Sequence, residues 1–296
     1  DGVSLSIGYG KTLALVGESG SGKSVTGLSI LKLIPSPPGR IEYGSVIEFE
    51  GENIYTKPEF EMMNIRGNKI SMIFQEPMTC LNPVYTIGNQ MSEVFKYHKQ
   101  MNKKQAKEAS IEMIKTVSIP MPEKRFDSYP HELSGGMRQR IMIAMALSCN
   151  PMLLIADEPT TALDVTIQAQ IIDLMLKLKN DYKTAVMLIS HNLGVVAEIA
   201  ETVAVMYAGR ILELGNTKDI FKNPIHPYTK GLLASIPHLG KQKQDLHEIP
   251  GMVPRITDLP EGCKFKTRCK FRKPECDIEP KLEKRSGMHY VRCCVF

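Results

Sequence analysis

No apolar run in this sequence approaches the roughly 18 residues that a membrane-spanning helix needs. The longest, IMIAMAL at 141–147, suits the buried face of a helix, so any role at a membrane calls for a partner. The opening Asp1-Gly2-Val3 offers neither a basic nor an apolar start, and a secretory signal is not expected. Excess charge is scarce outside one place. Residues 263–296 hold ten Lys or Arg against four Asp or Glu, and the remaining 262 residues sum to −1 out of a total of +5. Nucleic-acid binding by the whole chain is thereby disfavoured, and the question of basic partners is confined to the tail. Heptad runs are missing, as are close Cys pairs of the C-x2–4-C kind. With 43% apolar and 23% charged residues the composition is that of a globular chain and not of a disordered one. At 296 residues it suffices for one large domain or two modest ones.

The strongest positive signal is KTLALVGESGSGKSVTGLSIL. An apolar strand, Leu13 to Val16, runs into Gly17-Glu18-Ser19-Gly20-Ser21-Gly22-Lys23-Ser24 and then into a helix-forming run. This is G-x-x-x-x-G-K-S in the strand–loop–helix setting that a phosphate loop requires. Its glycines let backbone N–H groups wrap phosphates, and the helix start adds a favourable dipole. Lys23 supplies a point charge to the β- and γ-phosphates of ATP, and the Ser24 hydroxyl can ligate Mg²⁺.

A second strand is expected over Met152 to Ala156, with Asp157 at its end to hold the Mg²⁺ shell and Glu158 next to it to orient and deprotonate water. In HELSGGMRQRIMIAMAL, Ser134, Gly135 and Gly136 open a long helix and form another ready anion site. A second cradle beside a complete phosphate loop suggests a nucleotide shared between two molecules. AVMLISHNLGVV ends an apolar strand at His191, a position from which a γ-phosphate can be sensed.

Taken together, Gly17–Ser24, Gln75, Leu133–Met137, Asp157, Glu158, Asp164 and His191 resemble, in order and over nearly the whole chain, the ATPase subunit of an ABC transporter. The resemblance implies a P-loop α/β core with an inserted helical subdomain and a small cysteine-containing C-terminal extension. It makes Gln75 of IFQEP the residue that senses Mg²⁺ and couples to the membrane partner. Ser134, Gly135, Gly136 and Met137 would meet the nucleotide of an opposite subunit, and Asp164 would lie at the dimer interface. The stretches MIFQEPMTCLNPVYTIGNQMSE, DEPTTALDVTIQAQII and NPIHPYTKGLLASIP are similar to the dipeptide and oligopeptide importers. So is Met137, where the general signature has Gln; Cys80 stands where that branch usually has Ser. The implied domains are 1–76 and 151–215 for the core, 77–150 for the helical subdomain and 216–296 for the extension. The Met-rich stripe of the subdomain is expected to be core. DGVSLSI resembles the second strand of the family's N-terminal sheet, so the upstream strands with the adenine-stacking aromatic are expected to lie outside this sequence; Tyr9 is a poor substitute for that residue.

The implied partners are membrane permease subunits, a second identical or homologous ATPase subunit and, indirectly, an extracytoplasmic substrate-binding protein, with no nucleic acid and a place at the cytoplasmic face of the membrane. Two other readings are an ABC ATPase acting on nucleic acid or ribosomes, and a redox or iron sensor that binds ATP. Tandem ATPase halves or coiled-coil insertions would mark the first, and neither is present.

Three cysteines fall in CKFKTRCKFRKPEC, and Cys293 and Cys294 follow. The spacings x5, x6 and x16 match neither usual zinc pairs nor ferredoxin runs, and leave the metal open. Lys264, Lys266, Arg268, Lys270, Arg272 and Lys273 are expected to offset the negative charge of a cluster and to lower the thiol pKa values. Resemblance to peptide importers assigns Cys263, Cys269, Cys276 and Cys293 to a four-iron, four-sulfur cluster, with Cys294 as the alternative fourth ligand. Zinc or buried reduced thiols remain open alternatives.

Overall fold

A computed structural model describes residues 2–75, 80–161, 163–235 and 249–296. The fold is α/β. The chain forms two compact units, one made of Asp1–Ile7, Lys11–Thr26 and Leu188–Phe296, the other of Gly8–Gly10 and Gly27–Met187.

In the first unit the wholly buried strand Thr12–Val16 pairs in parallel with Thr202–Tyr207, Leu13 opposite Thr202 and Val16 opposite Val205. Strands buried on both faces read as continuous apolar runs, as LALV and VAVMY do. A two-residue turn, Ala208-Gly209, has positive φ at both positions (44° and 78°). This matches the twist of a tight hairpin, and the chain returns antiparallel as Arg210–Asn216. The cysteine-bearing tail adds to that edge: His289–Val291 pairs with Arg210–Asn216, and Glu283–Ser286 pairs with His289–Val291.

One buried carboxylate organises this edge. Glu213 is fully buried; it accepts the amides of Ile225 (2.7 Å) and His226 (3.0 Å), and its Oε1 lies 2.7 Å from His289 Nε2. A charge with so many hydrogen-bonding partners can be buried, whereas a lone one cannot. His226 in turn caps the helix Pro227–Ala234, its Nδ1 accepting the amide of Tyr228 at 3.0 Å.

Gly2 to Ile7 differ from the expected strand. Their exposure alternates residue by residue, yet the described residues give them no ladder partner and they form no strand. The period-2 pattern is present, but a strand needs a hydrogen-bonded neighbour.

In the second unit Ile70–Ile73 pairs in parallel with Leu153–Asp157, Ile70 opposite Leu153 and Ile73 opposite Ala156. Helices Ile87–Lys99, Lys103–Thr116, Pro122–Phe126 and Gly135–Leu147 lie between these strands in sequence. The expected start of a helical subdomain at Pro77 lies outside the described residues. Thr86 caps the first of these helices and an Asn102/Gln105 capping box the second. Close packing needs Gly88, since a Cβ there would fall 2.4 Å from the Phe126 ring. Met91, Met113 and Met142 are buried, in line with a core role for the methionines.

Burial holds the His226 imidazole neutral and pushes its pKa down to about 3. The folded value lies below the unfolded one, so the unfolded chain takes up the extra proton. His226 therefore costs no stability above about pH 6.5, and below that it costs about 1.4 kcal/mol per pH unit until about pH 3. His226→Asn keeps a capping acceptor but cannot titrate. Between pH 7 and pH 5, urea unfolding should show the wild type losing about 2 kcal/mol more stability than the variant. Equal losses would mean that His226 is not neutral in the fold.

Candidate active site

The phosphate loop is built in the first unit. At Gly17 (φ 155°) a Cβ would sit 2.1 Å from the carbonyl oxygen of Met206, so no side chain fits. Gly20 and Gly22 have φ of 79° and 102°, a region costly for other residues. The amide of Ser21 donates to Glu18 O (3.2 Å), and the amide of Gly209 to Ser21 O (2.9 Å), which fastens the loop to the hairpin turn. Helix Lys23–Ile30 starts at once, with Thr26 N donating to Gly22 O at 3.0 Å. Lys23 is buried; its Nζ donates to the carbonyls of Gly17 and Glu18, both at 2.9 Å. The amine thus curls back onto its own loop. Ser19 and Ser24 lie in the same run, between the glycines and at the helix start. His191 is exposed and follows directly on the strand Ala185–Ser190; its neighbour Asn192 caps the next helix through Gly194 N and Val195 N.

The second unit carries the carboxylates. Asp157 closes the strand Leu153–Asp157 and is buried. Glu158 follows with φ of 47°, a conformation that costs a non-glycine residue and that recurs at functional sites. Its Oε2 accepts from Gln75 Nε2 (3.2 Å) and from Thr161 Oγ1 (2.9 Å). The residues expected to sense the metal and to activate water are therefore in contact, although 83 positions separate them.

The signature segment is held against the same loop. Ser134 caps helix Gly135–Leu147, its Oγ accepting Met137 N at 3.4 Å. Buried Gln139 donates to the carbonyl of Pro159 at 2.5 Å, which ties this helix to the turn after Glu158. A Cβ on Gly136 would meet Ile167 at 3.0 Å. Asp164 caps the helix Val165–Tyr182, accepting Ile167 N at 2.9 Å. Gly136 and Asp164 thus both border the first turn of that helix.

In the tail the basic residues do not behave as expected. Lys266 and Arg272 reach Asp277, Lys264 lies 3.9 Å from Glu279, and Arg268 reaches Glu18. Burial, with neighbouring thiols adding to it, pushes Cys263 up to about 11 and raises Cys269 and Cys294. Four of the six cations thus face carboxylates, and burial is the largest influence on Cys263, Cys269 and Cys294. Neighbouring thiols, Cys276 and Cys293 among them, contribute to the upward shifts of Cys263, Cys269 and Cys294 alike. Cys263 accepts a hydrogen bond from the amide of Phe265, Cys269 from Phe271, Cys293 from Val295 (3.4 Å) and Cys276 from Lys273 (3.5 Å). Cys294 Sγ donates to Cys276 Sγ at 3.1 Å. Among the described residues no disulfide forms, and no group of three or more His, Cys, Asp or Glu is set to hold a single metal ion.

Sequence reasoning missed Tyr228 and Arg268, both of which grip Glu18. The HPY run that contains Tyr228 was singled out only as a resemblance, and Arg268 was counted as one of six charges.

Residues 1–161 match the family described as ABC transporter, and residues 212–276 match the oligopeptide/dipeptide transporter C-terminal region. The chain is 53% identical to a putative peptide import ATP-binding protein of Brucella melitensis, over 98% of this chain and 89% of that protein. It is 52% identical to the oligopeptide transport ATP-binding protein OppD of Bacillus subtilis, over 98% of this chain and 82% of that protein. The solved dimer of the bacterial ABC transporter cassette MJ0796 superposes with a TM-score of 0.61 at 28% identity, covering 72% of this chain and 88% of that one. With these likenesses joined to the phosphate loop, the Gln75–Glu158 contact and the capped signature helix, the chain belongs to the ATP-binding subunits of ABC transporters, in their oligopeptide/dipeptide branch.

Proposed function

We propose that this subunit hydrolyses ATP to drive the uptake of di- or oligopeptides through membrane permease subunits. It works at the cytoplasmic face of the membrane, paired with a second ATPase subunit and supplied by an extracytoplasmic binding protein. The observation that carries this reading is the union of the ABC transporter match over residues 1–161 with the peptide-transporter region over residues 212–276. No helix among the described residues is long and apolar enough to cross a membrane, so the membrane path belongs to a partner.

The donors fit the chemistry. Ser24, Asp157 and Gln75 are each assigned to Mg²⁺ by residue type, since each offers oxygen to a hard cation, and the ion would neutralise charge on the β- and γ-phosphates. Lys23 leaves the Gly17 and Glu18 carbonyls for phosphate oxygens, while the glycine-rich loop supplies amides. Glu158, poised by Gln75 and Thr161, orients the attacking water and takes its proton. His191 meets the γ-phosphate. Ser134, Gly135, Gly136 and Met137 present a capped helix start to the nucleotide of the opposite subunit, with Asp164 at the interface. Closing of the pair around ATP rearranges the permease, and hydrolysis resets it.

The same reading assigns Cys263, Cys269, Cys276 and Cys293 to a four-iron, four-sulfur cluster. Three of these sulfurs accept the amide two residues further on, and the fourth accepts another backbone amide. Amides aimed at sulfur tune such clusters. This repeated turn favours Cys293 over Cys294 as the fourth ligand. The domain division at 77–150 and 216–296 belongs to the same proposal.

Glu158→Gln should lower phosphate release by about 10²-fold or more while ATP still binds, and size-exclusion chromatography should show an ATP-dependent dimer. Unchanged turnover would remove Glu158 as the base. Iron, zinc and acid-labile sulfide should be measured after anaerobic purification. About four irons per chain with matching sulfide are expected, lost in Cys269→Ser. One zinc without sulfide would replace the cluster with a structural staple.

A further inference from the structure

The residue after the first glycine of a phosphate loop is, by motif, free to be anything. Here it is Glu18, and all its polar groups are taken. Its amide donates to Tyr228 Oη at 2.8 Å, its carbonyl accepts Lys23 Nζ at 2.9 Å, and its carboxylate accepts Arg268 Nη1 at 2.9 and 3.1 Å. Two of these three partners come from the C-terminal region, 210 and 250 positions away.

Arg268 is not a surface cation that happens to reach an acid. Its side chain is 6% exposed. Nε donates to Pro250 O at 2.8 Å, and Nη2 donates to Ile249 O and Gly251 O at 3.1 and 3.0 Å. Three carbonyls of one short turn therefore fix the plane of the guanidinium, and its remaining edge points at Glu18. The rings of Tyr207 and Phe265 flank it, their centroids 5.7 and 6.0 Å from the guanidinium carbon. Tyr228 is equally fixed, fully buried with edge-on contact to Tyr207 at 4.8 Å. Arginine has the planar fork for such a site; lysine does not.

We propose that Arg268 is a positioning residue for ATP, which neutralises and aims Glu18 so that the phosphate loop accepts the triphosphate. The reason is electrostatic. Glu18 sits among loop residues that must meet a polyanion, and a bare carboxylate there repels it. With Arg268 in place the charge is cancelled from behind, by a group whose other donors are already used and which does not compete with Lys23 for phosphate. Arg268 directly precedes Cys269, and Phe265 lies two residues after Cys263. The cysteine-bearing turns therefore carry the support of the nucleotide loop. This inference rests on the ATPase reading and names a further residue for it.

The test is a double-mutant cycle in the full-length protein. The dissociation constant of a non-hydrolysable ATP analogue with Mg²⁺ is read by titration calorimetry, and KM and kcat by phosphate release. Arg268→Gln should weaken analogue binding and raise KM about tenfold, with kcat within about twofold. In a Glu18→Gln background the same substitution should cost less than about threefold, because no carboxylate remains to be neutralised. Arg268→Lys, which keeps the charge, should recover most of the affinity. An equal cost in both backgrounds, wild-type affinity in Arg268→Gln, or a fall in kcat at unchanged KM would each overturn the proposal. If Arg268→Gln fails to fold, Arg268→Met, which also removes the charge but keeps the apolar stem, is compared in the two backgrounds and decides by the same rule. Binding by the wild type in the same titration tests the nucleotide site itself, so a failure of that reading is seen separately.

Discussion

Glu213 is the constraint on which the first unit depends. A fully buried carboxylate must have its charge met inside the protein, and here the amides of Ile225 and His226 and the His289 ring meet it. Those partners lie 12, 13 and 76 positions from Glu213. Two precede the helix that carries Tyr228, and the third stands on the last hairpin, just before Cys293. One side chain on a core strand therefore fixes both the HPY helix and the cysteine tail. Removing it would leave buried donors without an acceptor, which costs more than a lost surface bond.

The phosphate loop is built on the same unit. Its backbone is shaped locally by Gly17, Gly20 and Gly22, but glycines supply freedom and not rigidity. Bonds within the motif, from Ser21 and Lys23, are joined by others from outside it: the Gly209 amide on Ser21, Tyr228 on the Glu18 amide and Arg268 on its carboxylate. In the second unit the pattern repeats with other means. Glu158 is held in a costly backbone conformation, and Gln139 braces the turn after it through Pro159. Each reactive segment is short and flexible by composition, and each is gripped by side chains from elements distant in sequence.

That arrangement explains what the sequence made legible. The strand before Gly17, the strand ending at Asp157, the capped helix after Ser134 and the exposed His191 follow from periodicity, glycine placement and capping, which are local. Glu18 gave no local sign of its partners, because contacts across 210 and 250 positions leave no spacing to read. Gly2 to Ile7 show the converse error: their alternation is real, but alternation does not create a hydrogen-bonded neighbour. The six basic residues among the cysteines suggested thiolate stabilisation, because charge in sequence has no direction. In space Lys266 and Arg272 turn to Asp277, and burial raises the thiols instead.

Lys23 brings these threads together. A buried ammonium needs oxygen partners, and it finds them in the Gly17 and Glu18 carbonyls of its own loop. In the proposed function ATP competes with those bonds, and Lys23 exchanges partners on binding. Such an exchange is productive only if the loop keeps its shape when the lysine lets go; a loop held together by Lys23 alone would relax as the phosphates arrive. The anchors on Glu18 act on its amide and carboxylate, leaving its carbonyl as the group the lysine releases. That carbonyl also accepts the Ser21 amide, so it keeps a partner when the lysine lets go. The Ser21 amide thus supports the loop from within the motif, and the C-terminal region adds its own support through Tyr228 and Arg268.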